Sequence, residues 1–127
     1  MAKIDFLKKR AREFLKLSKH AFREGNYNIS AFNLEQAAQL YLKYYLFLRI
    51  KDYPKTHSLE ELLRELVQAY PEKKSAIGKI LKEEVSAIGD LEQAYITSRY
   101  LPTEFSKNRI KEMQKFVAKL FKFLKGL

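Results

Sequence analysis

Chemistry in this chain rests on a short roster of side chains. Its 127 residues include two histidines, His20 and His57, and no cysteine. The missing thiols exclude disulfides, thiolate zinc sites and cysteine nucleophiles together. His20 follows Lys19 and precedes Arg23 by three residues, a setting that repels a cation, so neither a metal site nor a cofactor is expected. No G-x-x-x-x-G-K-[ST] or G-x-G-x-x-G loop is present to cradle phosphate, and no G-x-S-x-G element to support serine hydrolysis.

The remaining candidates are His57, Arg99, Tyr100 and Lys43. His57 lies in Thr56-His57-Ser58-Leu59, just ahead of a helix start. Two readings stand for it: a histidine packed against neighbouring helices with a backbone carbonyl as partner, or part of an anion or nucleotide pocket, for which a loop position is suited. Arg99 and Tyr100, in Ser98-Arg99-Tyr100-Leu101-Pro102, end a helix. There an arginine either neutralises the negative end of the helix dipole or grips phosphate with its planar fork while the tyrosine stacks a base. Lys43 shares a helix face with Gln39 and Glu35, the three falling at intervals of four.

Charge narrows the partners. The chain has 25 Lys and Arg against 15 Asp and Glu, a formal net charge of +10. Residues 1–57 hold 12 basic and 5 acidic side chains, residues 58–98 hold 5 and 8, and residues 99–127 hold 8 and 2. Positive charge therefore sits on the first and last segments around an acidic middle, a distribution suited to a polyanion or to solubility. The longest charge-free run, Gly25 to Leu34, is ten residues interrupted by polar ones. That is far short of the roughly 18–20 apolar residues of a membrane span. The start, Met1-Ala2-Lys3-Ile4-Asp5, is charged at once, unlike a signal peptide. A cytoplasmic location and no membrane partner are the expectations.

These side chains must be held by helices, since no segment alternates apolar and polar residues between hairpin turns. The punctuation predicts a first helix from about Lys3 to Glu24, closed by Gly25-Asn26. A second follows from about Asn28 to Ile50. In it 14 of the 20 residues from Ile29 to Leu48 are apolar, too many for one face, so it should be buried nearly all round, at the centre of a bundle or through a subunit contact. Lys51 to His57 reads as a loop around Pro54, and Ser58 with Glu61 as a capping box opening a third helix, Leu59 to about Ala69, stopped by Pro71. One fourth helix is expected from Lys73 or Ser75 to Ser98. In it Gly78 and Gly89 mark either close packing or a break, and Tyr95 is counted with the core. After a loop from Arg99 to Phe105 comes a final amphipathic helix, Ser106 to Lys125. The fold class is all-α, an up-and-down bundle of four to five helices forming one domain over residues 1–127.

Three pieces of the sequence carry a resemblance. The stretch Gly25-x-Tyr27-x-x-x-Ala31-Phe32-x-x-Glu35-Gln36-Ala37-Ala38-x-Leu40-x-Leu42-Lys43 resembles the second-helix signature of the HEPN (higher eukaryotes and prokaryotes nucleotide-binding) domain. Thr56-His57-Ser58-Leu59-x-x-Leu62-Leu63 and Tyr95-x-x-Ser98-Arg99-Tyr100-x-Pro102 are similar to its next two landmarks, in the same order. The resemblance implies a helical bundle that dimerises and binds a nucleotide or RNA. It also brings two alternatives: a partner of a separately encoded minimal nucleotidyltransferase in a toxin-antitoxin pair, and a metal-independent ribonuclease. The ribonuclease members carry an arginine, four to six residues, then a histidine. Here seven residues separate Arg49 from His57 and seven separate Arg12 from His20, so the motif is missing. The sequence therefore leads to a non-catalytic homodimer that binds nucleotide or RNA phosphate through His57, Arg99 and Tyr100, with Lys43 as a further contact.

Overall fold

A computed structural model of the chain describes residues 5–127. Among them are six α-helices: α1 (Asp5–Arg23), α2 (Tyr27–Ile50), α3 (Leu59–Ala69), α4 (Lys74–Glu83), α5 (Val85–Tyr100) and α6 (Lys107–Lys125). A 3-10 turn, Pro71–Lys73, joins α3 to α4. The fold is all-helical, as the patterning requires, but the helix count exceeds four to five. The expected start of the first helix at Lys3 lies outside the described residues.

The helix ends follow from local chemistry. Gly25 adopts φ +79 after α1, a left-handed conformation that a side chain would disfavour, and the chain closes with Asn26 N–H donating to the Ala21 carbonyl at 2.8 Å. Ser58 and Ser106 cap α3 and α6, each accepting a hydrogen bond at 3.2 Å from the backbone N–H three residues on.

The expected single fourth helix is divided at Glu84. The residue there takes φ −108 and ψ 27, off the helical values, while its N–H still reaches the Ile80 carbonyl at 2.9 Å. The bend lets α4 pack on α3 while α5 packs along α2. Neither Gly78 nor Gly89 is the cause: a Cβ at either would meet nothing within 4 Å, so they mark neither close packing nor the break.

Helix α2 is the axis, packed against α1, α3, α5 and α6. Leu34, Ala38, Tyr41, Leu42 and Leu46 are buried on it, and Tyr41 meets Phe121 of α6 with ring centroids 4.1 Å apart. Ser18 and Ser30 lock α1 to α2: each hydroxyl donates to the other residue's carbonyl, at 2.7 and 2.8 Å, so two fully buried polar groups are satisfied. The burial is not complete all round. Ile29 is exposed and Phe32, Gln36, Leu40, Lys43 and Phe47 are half-buried, and their spacing by three and four leaves one face of α2 open.

Candidate functional site

That open face borders the place where two of the sequence landmarks meet. The loop from Lys51 to Ser58 is anchored to α5 by Glu92, whose Oε2 accepts from the Ser58 hydroxyl at 2.8 Å and from Glu60 N–H at 3.4 Å. A carboxylate at the N-terminus of α3 is also favoured by the helix dipole. Tyr95 lies one turn further along α5 on the same side. With Ser58 fixed at Glu92, the preceding residue is laid against Tyr95: the His57 and Tyr95 rings stack with centroids 4.2 Å apart and planes 4° from parallel. His57 remains exposed.

Arg99 follows Tyr95 by one turn. The sequence reading placed it in a loop, but α5 continues through Tyr100, so Arg99 and Tyr100 both sit on its last turn. The helix is carried on by Leu101 N–H, which reaches the Thr97 carbonyl at 3.3 Å. Arg99 donates from Nε and Nη2 to the Tyr95 carbonyl, at 3.0 and 2.5 Å, folding its side chain back along its own helix. Its guanidinium carbon lies over three aromatic rings, with centroid distances of 4.7 Å to Tyr95, 4.8 Å to Tyr100 and 5.1 Å to Phe32. Arg99 is thus held in place yet exposed, and Tyr100 is 70% exposed. The segment after them is tied down by Asn28 at the start of α2, whose side chain donates to the Thr103 carbonyl and accepts from Phe105 N–H, both at 2.8 Å.

Lys43 is placed at the edge of this cluster rather than in it. Its Nζ lies 3.1 Å from Gln39 Oε1 and 5.6 Å from the centre of the Tyr53 ring. Through Gln39 it connects to Glu35, which is completely buried. Gln36 and Gln39 donate their side-chain amides to the two Glu35 carboxylate oxygens at 2.7 and 2.8 Å. Burial pushes the Glu35 carboxyl up to about 7, against the opposing pull of the two amides and of the positive charges on Lys43 and Arg99. Burial likewise moves Lys43 down from the ordinary lysine value, while Glu35 pulls it up.

Glu35 and Tyr95 therefore belong to the candidate site by their contacts, although the sequence pattern does not single them out. Glu35 had a signal, its shared face with Gln39 and Lys43. Tyr95 read as one more core aromatic, yet it is half-buried and serves as the platform for His57 and Arg99.

Arg49, the arginine nearest upstream of His57, is engaged elsewhere. It pairs with Glu72 at 2.7 Å, donates to the Ala69 carbonyl at 3.2 Å and lies 4.1 Å from the centre of the Tyr70 ring. His20 is on the exposed side of α1, 4.0 Å from Glu24. Among the described residues no group of three histidine or acidic side chains is arranged to hold a metal ion, and no helix is long and apolar enough to cross a membrane.

An all-helical chain with a histidine ahead of its third helix and an arginine-tyrosine pair ending its fifth defines a class as well as a geometry. The HEPN domain model matches residues 4–127, and the chain belongs to the HEPN domain family. Membership links it in general terms to nucleotide- and RNA-related functions. No curated protein matches it.

Proposed function

We propose that this HEPN protein binds the phosphate of a nucleotide or RNA, without cleaving it, as a homodimer. The observation that carries the reading is the Arg99 guanidinium, exposed and framed by Phe32, Tyr95 and Tyr100 beside the His57-Tyr95 stack. Two of its donor nitrogens hold the Tyr95 carbonyl, and Nη1 is left to meet an anionic oxygen. Tyr100 offers an exposed ring to a base, and stacking of that kind contributes about 1–3 kcal/mol per base. His57 adds a donor across the Tyr95 ring. Lys43 contributes charge from the edge of the cluster.

Catalysis is not part of the proposal because Arg49 is committed to Glu72 and Tyr70. Support for a dimer comes from the open face of α2. Ile29, Phe32, Leu40 and Phe47 are apolar there, and Gln36 and Lys43, which also belong to the Glu35 network, make that face continuous with the site. A second copy packed on it would bring two sites together.

Titrating ATP, AMP and a short RNA against the wild type and Arg99→Ala tests the site. Tighter binding by the wild type supports it; equal binding by both, or none by either, overturns it. Light scattering at micromolar concentration tests the dimer, and a monomer mass there contradicts it.

A further inference from the structure

The charge of the chain is concentrated on two helices that the site does not use. Helix α1 carries 7 basic and 2 acidic residues and α6 carries 7 and 1, so these two elements hold the whole positive excess. Both pack against α2, but their backbones do not pack against one another. The slot between them is an open groove of about 460 Å³. Its base is Leu34 of α2, with Leu15 of α1 and Ala118 of α6 on the walls, and Lys19 stands on one rim opposite Lys111 and Lys115 on the other. Lys19 and Lys111 have no acidic partner among the described residues, and Lys115 reaches only Glu112 of its own helix, at 3.4 Å.

We infer that this groove is a docking site for an acidic amphipathic helix of a partner protein. Two parallel features of the groove require such an occupant. The aliphatic base takes the apolar stripe of a helix, whose side chains recur by three and four, and the lysines flanking it take carboxylates on the two sides of that stripe. A nucleic-acid strand satisfies only the second feature, since no aromatic side chain in the groove stacks a base. The partner's charge must be negative: an excess of five cations on α1 and six on α6 disfavours a neutral or basic helix and accelerates the approach of an acidic one.

Fluorescence anisotropy with two labelled probes tests the inference on the full chain. One is an acidic peptide of about five helical turns, with leucines at helical spacing between glutamates; the other is a uridine oligonucleotide. The variants are Ala118→Trp, which fills the groove without changing charge, and Lys111→Glu with Lys115→Glu, each checked for helical content by circular dichroism. The peptide should bind the wild type and lose about tenfold or more in affinity to both variants, while Arg99→Ala leaves it unchanged. Binding of the peptide no better than that of a scrambled sequence of the same composition overturns the inference. So does preferential binding of the oligonucleotide that charge reversal weakens and Ala118→Trp does not, because that pattern assigns the lysines to a nucleic-acid backbone.

Discussion

The imidazole of His57 lies flat on the phenol ring of Tyr95, 4.2 Å between centroids and 4° from parallel. The contact joins a loop residue to the middle of α5, and it gives the same ring that supports Arg99 a second function. Tyr95 is consequently the residue through which the two landmarks communicate. Tyr95→Leu should lower affinity for AMP about as much as Arg99→Ala does, by about tenfold, because the aliphatic side chain removes the stacking surface and leaves Arg99 unsupported. Tyr95→Phe keeps both rings' contacts and should bind within about twofold of the wild type. Titration calorimetry of the two variants checks this; a Tyr95→Leu protein that binds normally contradicts it.

Glu35 makes stability depend on pH in a defined direction. Its folded-state value of about 7 lies above the ordinary 4.5, so the folded chain holds a proton that the unfolded chain has released between those two values. The folded chain is therefore stabilised in full below about pH 4.5, and that contribution is lost as pH rises towards 7, to a total of about 3 kcal/mol at most. Glu35→Gln has no proton to lose and should flatten the change in thermal midpoint across this window. A wild type and variant with the same pH profile would exclude Glu35 as the titrating group.

The capping residue of α3 also fixes the height of His57. Ser58 accepts from Glu61 N–H and donates to Glu92. Ser58→Ala removes both bonds, and loss of the cap alone costs about 1 kcal/mol. Chemical denaturation should show that loss. Ligand affinity should fall with it, because the residue next to His57 is no longer held to α5.

With Arg49, the arginine nearest upstream of His57, committed to Glu72 and Tyr70, RNA should survive the protein. A labelled RNA incubated with an equimolar amount of protein in a chelator is expected to stay at full length. Cleavage products that disappear in His57→Ala would convert the site from a binding site into a ribonuclease centre.

The helix boundaries were legible because the stop and start signals are local. Gly25 ends α1, Ser58 opens α3, Pro71 ends it and Ser106 opens α6, each acting on its own turn. The break at Glu84 has no such signal: no proline or glycine stands there, and the bend comes from α4 and α5 packing on different helices. The site divides in the same way. His57 and Arg99 were visible as polar residues near helix ends, whereas the importance of Tyr95 depends on the loop being folded back by Glu92. Glu35 could be assigned to a helix face from its spacing, but its complete burial is the product of neighbours distant in sequence.

The most direct test of the site is to observe its side chains while ligand is added. In NMR spectra of the protein titrated with AMP, the ring protons of His57, Tyr95 and Tyr100 and the Nε–H of Arg99 should shift together and saturate along one binding curve. Shifts confined to other parts of the chain, or none at saturating AMP, would contradict the assignment of the nucleotide site to His57 and Arg99.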